Sequence, residues 1–336
     1  MRSRPTIIDV AQLAGVSKTT VSRVVNGEVN KVSEETLGKV QRAIDALGYI
    51  QNTIASSLRT DRTNMVMLMI PDITNPFWPE VARGIQDLMG REGYSVVFAN
   101  NDWNSEHEVE YLNSARRNRL DGILINPIRV TEAEILASHI PTVIMGLREG
   151  YPNIDMVGSD SYSATQKALE YLTRLGHQRI GFLLGQSVHS SMRSRLGSYN
   201  DFFERNGISP DERLVVPVTF DNSGGVNGMK KLLELEPPPS SVLASNDLIA
   251  IGALHVAAQM GYRVPEDISI MGIDDIYAAS LTIPPLTTVR KQKYETGSQA
   301  ARLLLERMQG KGLTETQRVK IPCQLVVRGS TRRAPN

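Results

Sequence analysis

The chain has a single cysteine, Cys323, so an internal disulfide and a zinc cluster built on cysteines are both excluded. Its five histidines (His107, His139, His177, His189 and His255) are too scattered to suggest a zinc site, and no metal is expected. No apolar run approaches the roughly 20 residues that a membrane span needs, so no membrane partner is expected. The basic first residues are interrupted by Asp9 and Gln12, which leaves no signal-peptide core and places the expected protein in the cytoplasm. Also missing are a G-x-G-x-x-G after the first strand, a G-x-x-x-x-G-K-[ST] phosphate loop and a G-x-S-x-G elbow. An enzyme is therefore not expected, nor is a catalytic residue or a cofactor. Low-complexity tracts and short repeats are absent. Net charge is only +1, which at first argues against a polyanion-binding chain.

What is present reverses that last impression. The 336 residues are 41% apolar and 22% charged, ordinary for a globular protein and enough for two or three domains. Residues 1–62 hold nine Lys/Arg against six acids, a surplus of +3 that leaves −2 for the remainder. A small basic head on a larger, slightly acidic body is the asymmetry that matters.

Residues 1–50 contain no strand-like run and read as three short helices. From Met65 short apolar runs alternate with amphipathic stretches. The runs are Met65–Ile70, Ser95–Ala99, Gly122–Ile125, Thr142–Met145, Arg179–Leu184, Val215–Phe220, Ser241–Ala244 and Ile268–Gly272. Helical patterns between them include Val81–Arg91, Ala164–Leu175, Leu248–Met260 and Ser298–Met308. Such alternation predicts parallel sheets flanked by helices, and eight or more strands suit two sheets better than one.

In the head, Val10, Ala11 and Ala14 share one helical face, and Gly15 stands where a tight turn needs positive φ. Ser17 can cap a second helix whose inner face is Val21, Val24 and Val25. On its opposite arc fall Lys18, Thr19, Ser22, Arg23 and Asn26, side chains that can reach base edges and phosphates. Ser33 caps a third helix with Leu37, Val40, Ile44 and Leu47 as its stripe, and Gly48 ends it. A bare helical hairpin with a solvated polar face would show the same periodicity.

The string D-V-A-x-x-A-G-V-S-x-x-T-V-S-R-V-x-N resembles the helix-turn-helix of the lactose-repressor (LacI/GalR) family of bacterial regulators. The resemblance implies that Lys18, Thr19 and Arg23 read bases, while Thr6, Ser17, Ser22, Asn26 and Ser33 mainly touch phosphates. Residues 51–63 would be a plain linker by composition. The family's hinge helix, matched here by Ala55, Ser57, Leu58 and Arg59, instead implies a segment contacting DNA, with Leu58 as a minor-groove wedge.

The resemblance continues through N-P-F-W (75–78), L-G-H-x-R-I-G-F (175–182), S-N-D-x-x-A-x-G (245–252), V-P-E-D-I-S-I-M-G-I-D-D (264–275) and P-P-L-T-T-V (284–289). It implies an α/β chain: an all-α helix-turn-helix head over 1–50, and a two-lobed, periplasmic-binding-protein-like α/β body over 64–336. Lobe one would hold 64–161 with 292–321, and lobe two 162–291 with 322–336. A homodimer on a palindromic operator, controlled by a small sugar or sugar derivative, follows as the expected mode of action, most readily as a repressor.

For that effector, Phe77, Trp78 and Phe220 are aromatics just past strand ends, where ligands bind in open α/β sheets. Arg195, Asn246 and Asp274 offer a forked donor, an amide and a carboxylate suited to vicinal hydroxyls. His189, Ser191 and Asp221 join by the resemblance alone, and Asp160 matches a position that couples ligand state to the hinge. Phe77 reads equally as core, and Asn246-Asp247 equally as a helix cap. Where relatives carry an aspartate after the fourth strand, this chain has Gly146. A purine or nucleoside corepressor is the alternative effector, disfavoured because His189 replaces the arginine that relatives use. A solute-binding protein without a regulatory role would need an export signal and would not carry the head.

Overall fold

The computed structural model describes residues 5–50, 62–185, 190–310 and 315–334. Ala55, Leu58, Arg59 and His189 lie outside these residues, as does the side chain of Ser191. The chain divides into two compact units, Met1–Thr63 and Asn64–Asn336.

The first unit holds helices α1 (Ile7–Ala14), α2 (Lys18–Val25) and α3 (Glu34–Leu47). Each start has a side-chain cap. The Thr6 hydroxyl accepts from Asp9 N at 3.4 Å while the Asp9 carboxylate accepts from Thr6 N at 2.7 Å. These bonds from the Thr6 backbone and hydroxyl hold the Asp9 carboxyl below the usual carboxylate range. Ser17 accepts from Thr20 N at 3.1 Å, and Ser33 from Thr36 N at 3.3 Å. Gly15 turns the chain at φ +65°, and its N–H returns to the carbonyls of Ala11 and Gln12. Val10, Val21 and Val40 meet at the centre, fully buried. Each contributes roughly 1.5–3 kcal/mol of transfer free energy, so three small helices hold without a metal or disulfide.

The second unit contains two six-stranded sheets. In order, the first is β11 (Arg318–Lys320), β5 (Asp155–Gly158), β4 (Thr142–Met145), β3 (Gly122–Ile125), β1 (Met65–Ile70) and β2 (Ser95–Asn100), all parallel. The second is β12 (Cys323–Val326), β10 (Thr287–Lys291), β9 (Ser269–Asp274), β8 (Ser241–Ala244), β6 (Ile180–Gly185) and β7 (Val215–Val218). Only β12 there runs antiparallel to its neighbour. Helices α4 (Phe77–Arg91), α5 (Ser105–Arg117) and α6 (Glu132–Leu136) connect strands of the first sheet. Helices α7 (Ser161–Arg174), α8 (Ser190–Arg205), α9 (Asn222–Leu233) and α10 (Asp247–Gln259) serve the second, and α11 (Lys293–Met308) returns to the first. Central strands are buried on both faces, which is why they read as unbroken apolar runs.

The chain crosses between the lobes three times: after β5, after β10, and between β11 and β12. Asp155 opens β5 almost fully buried, and Arg307 on α11 reaches it with Nε at 2.5 Å and Nη2 at 2.8 Å. The same carboxylate accepts from Gln317 N at 2.7 Å, so the returning segment is fastened to the first sheet.

Each lobe also packs one helix pair through glycines. A Cβ on Gly297 of α11 would lie 2.0 Å from the Val81 carbonyl oxygen of α4, and one on Gly84 of α4 2.2 Å from the Tyr294 oxygen. The second lobe repeats the device: Gly225 of α9 meets Ile249 O at 2.0 Å and Gly252 of α10 meets Asn222 O at 2.1 Å. Backbones this close exclude any side chain.

The expected strand Val215–Phe220 stops at Val218, because Thr219 and Phe220 turn toward the next helix. The run expected at Ile268–Gly272 is a strand from Ser269 to Asp274, and Arg179–Leu184 shifts by one residue. Helices expected from Val81, Ala164 and Ser298 begin earlier, at Phe77, Ser161 and Lys293. Their first turns hold polar or aromatic residues, several of which line the cleft or sit at a cap, and so break the apolar period that marks the rest of each helix.

Candidate DNA-reading face and effector cleft

On the head, Lys18 and Thr19 in the first turn of α2 and Arg23 in its last turn project as exposed side chains. None of them makes a hydrogen bond or ion pair among the described residues. The other five expected contact residues already carry local structure. Thr6, Ser17 and Ser33 are N-caps, and the Asn26 amide donates to the Ser22 carbonyl at 2.5 Å and hydroxyl at 3.1 Å. A capped helix start presents backbone N–H groups and positive partial charge, the local chemistry that suits a phosphate.

In the body, the carboxyl ends of the strands open on a cleft between the two lobes, enclosing about 940 Å³ of space partly continuous with solvent. Phe77 and Trp78 come from the start of α4, Phe220 from the loop after β7, Asp274 from the end of β9 and Arg195 from α8. All five were expected from the sequence and all five line the cleft. Phe77 and Trp78 pack edge to face at 5.0 Å, and the Arg195 guanidinium stacks over Phe220 at 5.2 Å.

Asn246 and Asp221 do not line it. Asn246 is buried as the N-cap of α10, accepting from Ile249 N at 2.9 Å, while its amide donates to Phe220 O at 3.4 Å. It positions the aromatic wall instead. Asp221 is exposed and caps α9, accepting from Gly224 N at 2.8 Å and Ser223 Oγ at 2.7 Å. The cap reading of Asn246, left open by the sequence, is the one its geometry supports.

Of the lining residues the sequence reading did not name, three are aromatic or charged. Trp103, after β2, sits at φ +58° and tilts against Phe220 at 5.6 Å. Arg148 follows β4, beside Gly146, and its Nη1 donates to the Pro127 carbonyl. Lys291 ends β10 with its Nζ 3.0 Å from Asp274 Oδ1 and 5.6 Å from the centre of the Phe77 ring. The ammonium lies off the directions of an aligned hydrogen bond to that oxygen, so Oδ1 is paired in charge but still lacks a hydrogen-bond donor. The strand-end rule that found Phe77 would have found Arg148 and Lys291 as well.

Eight buried side-chain polar atoms lack a hydrogen-bond partner among the described residues, and five of them line this cleft. They are Arg148 Nε, Ser159 Oγ, Arg195 Nε and Nη1, and Asp274 Oδ1. Each such group costs about 1–3 kcal/mol, a cost that a polar ligand relieves. No group of three or more His, Cys, Asp or Glu among the described residues could hold a metal.

The cleft's framework is also electrostatic. The Lys293 ammonium, at the start of α11 in lobe one, donates to the carbonyls of Asp274 (3.0 Å) and Asp275 (2.6 Å) in lobe two. Asp275 in turn pairs with Arg290 and Arg328, each at 2.6 Å. Asp160 caps α7 through Tyr162 N at 2.9 Å and reaches Lys320 of β11 at 2.9 Å. Burial pushes its carboxyl upward, but the Ser163 hydroxyl and the Lys320 ammonium hold it below the usual range.

Behind Asp274, burial pushes the Asp247 carboxyl up to about 7, and the Asp274 charge adds to the rise. Thr288 Oγ1 donates to it at 2.6 Å and Ile276 N at 2.9 Å, which only partly offsets that. The folded chain thus keeps a proton that the unfolded chain releases near the ordinary carboxylate value of 3.8. Stability is fully present below that value, falls as pH rises toward about 7, and levels off above it, by at most about 4 kcal/mol. Asp247→Asn, neutral at every pH, should flatten that decline, so wild-type and variant melting temperatures should lie closest at the acid end of this range and diverge as pH rises toward about 7. Parallel wild-type and variant profiles would count against it.

A small helix-turn-helix head with an exposed basic, hydroxyl-rich face, joined to a two-lobed body with an unsatisfied polar cleft, defines a ligand-responsive DNA-binding regulator. Comparison with known proteins agrees over nearly the whole length. The model for bacterial regulatory proteins of the lacI family matches residues 6–52, and that for a periplasmic binding protein-like domain matches residues 169–331. The transcriptional repressor CytR of Escherichia coli (strain K12) is 33% identical over 334 residues, covering 98% of this chain and 97% of that protein. The ribose operon repressor of Bacillus subtilis (strain 168) is 35% identical over 329 residues, 98% and 99% of the two chains. Among solved structures, the lac repressor dimer bound to operator and the anti-inducer ONPF superposes with a TM-score of 0.85 at 27% identity, covering 98% of this chain and 100% of that one. The chain belongs to the LacI family of bacterial transcriptional regulators. It is a regulator, not an enzyme.

Proposed function

We propose that the protein is a cytoplasmic repressor that binds a near-palindromic operator as a homodimer under the control of a small polar effector held in the body's cleft. The observation that carries this reading is the concentration of unpartnered buried polar atoms between the lobes, beneath aromatic walls. Lys18, Thr19 and Arg23 read bases; Thr6, Ser17, Ser22, Asn26 and Ser33 set the register on phosphates. Ala55, Leu58 and Arg59 extend that contact. Arg195, Asp274 and Lys291 hold ligand hydroxyls between Phe77, Trp103 and Phe220, with Asn246 and Asp221 shaping the wall and His189 and Ser191 as further effector contacts. Asp160, tied to Lys320 across two of the chain's crossings, carries the ligand state toward the hinge. Tyr277, Leu281 and Ile283 are exposed at 75%, 63% and 97%, an apolar edge that supports self-association of the bodies. No described helix is long and apolar enough to cross a membrane.

A sugar or sugar derivative is the favoured effector, because its C–H face packs on the aromatics while its hydroxyls both donate and accept. A nucleoside is the second reading, favoured by Trp103, whose ring with Phe220 would receive a flat base.

Arg23→Ala should weaken operator binding by about 1–3 kcal/mol if the guanidinium reads a guanine. Affinity of the unaltered protein should fall steeply with salt as phosphate counterions are displaced. Fluorescence anisotropy with a specific and a scrambled duplex decides the matter; equal affinity for the two at physiological salt would sink the reading.

A further inference from the structure

Resting on the effector cleft proposed above, we infer that its ligand carries a compact anionic group, a phosphate or a carboxylate, seated between Arg148 and Arg195. The described side chains lining the cleft include three cations, Arg148, Arg195 and Lys291, but only one carboxylate, Asp274. Lys291 and Asp274 lie 3.0 Å apart and offset one another. Neither arginine makes an ion pair among the described residues.

Arg195 is only 6% exposed, and its Nε and Nη1 have no acceptor among the described residues. Phe220 covers one face of the guanidinium, which leaves the N–H edge for a ligand. Arg148 is anchored by Nη1 on the Pro127 carbonyl, while its Nε is buried without a partner among the described residues. Burial pushes the Arg148 guanidinium down to about 10, and the positive charge of Arg195 acts in the same direction. The two cations therefore oppose one another in a desolvated place.

Nearby carboxylates do not resolve this: the Asp274 charge is felt at Arg195, but that single carboxylate is already set against Lys291 at 3.0 Å. Glu108 is near enough for its charge to be felt at Arg148, but its oxygens already accept from Ile128 N at 2.5 Å, Arg129 N at 2.7 Å and Val130 N at 2.9 Å. Gly146 lies beside Arg148, where a Cβ would stand 3.6 Å from Nη2, so this position supplies no acid either. A neutral polyol would give the arginines acceptors while leaving their surplus charge desolvated. An oxyanion gives both, through charge-assisted, forked hydrogen bonds. Phe77, Trp103 and Phe220 then cover the remainder of the ligand, and Asp274 with Lys291 takes its hydroxyls.

Calorimetric titration of the full chain with matched probes tests this: ribose against ribose 5-phosphate, glucose against glucose 6-phosphate and glucuronate, and inorganic phosphate alone. At least one charged probe should bind about tenfold or more tightly than its neutral partner, with the ester and acid arms showing which oxyanion fits. Arg148→Gln should erase that advantage, lowering the affinity of the charged probe about tenfold more than that of its neutral partner. Rising salt should weaken the charged probe selectively, a measurement that stands even if the variant fails to fold. Neutral sugars binding as tightly as their charged partners, in a salt-independent way, would overturn the anionic ligand and leave the cleft reading intact. Failure of every probe to bind would overturn the sugar-like effector itself, and this inference with it.

Discussion

Gly297→Val should destabilise the body by roughly 3 kcal/mol and lower its melting temperature by about 6–12 °C. The added Cβ would start 2.0 Å from the Val81 carbonyl oxygen, a backbone atom that no rotamer change can move away. The two helices must therefore separate, and overpacking of this kind lies at the high end of its usual cost. The damage reaches the cleft as well. Helices α4 and α11 carry Phe77, Trp78 and Thr296 to the ligand, so separating them misaligns the aromatic wall against Asp274 and Lys291. Effector affinity should fall along with stability, while the isolated fold of the head is untouched. Differential scanning calorimetry is the direct measurement, and a melting temperature within a degree or two of the wild type would show the helix contact to be softer than its geometry.

Arg307→Ala should cost about 3–5 kcal/mol, the usual penalty for stranding a buried carboxylate. Asp155 is only 3% exposed in its side chain and loses two of its charge-assisted bonds, at 2.5 and 2.8 Å, when the guanidinium is removed. The Gln317 N–H remains as its donor, so the segment leading to β11 loosens rather than detaches. Replacing both partners by apolar residues of similar volume should cost less than the single change, because no charge is then left behind. Urea denaturation of the single and double variants separates these outcomes. A single variant within about 1 kcal/mol of wild type would mean that water reaches Asp155 after all.

The sequence was most readable where one physical demand acted alone. Met65–Ile70, Gly122–Ile125, Thr142–Met145 and Ser241–Ala244 are buried on both faces, so their boundaries match the apolar runs. Residues 155–158 begin with an aspartate and end with a glycine, and β5 was hidden by the ion pair that Asp155 makes. Residues 287–291, T-T-V-R-K, are polar because Thr287, Thr288 and Arg290 are held by Thr331, Asp247 and Asp275 while Lys291 lines the cleft, so β10 carries no apolar run to mark it. Helix α9 contains three glycines and was not among the helical patterns read from the sequence, although Gly225 is the point of closest approach to α10. In the site, the aromatics were legible because they follow strands directly. Trp103 was not, since it sits in a polar turn at positive φ that no periodicity marks.

The three crossings of the body also impose an order of assembly. Every contact of the head's core lies within its own short stretch of chain, so it can form as soon as that stretch leaves the ribosome. The body cannot do the same. Its first sheet receives β11 beside β5 across a separation of 162 residues, and its second receives β12 beside β10 only after residue 323. Until then the edges of β5 and β10 present bare backbone groups, the kind of edge that invites pairing with another chain. Synthesis therefore yields a finished DNA-reading module well before a finished sensor. The late, short strands act as closures whose arrival removes two sticky edges at once.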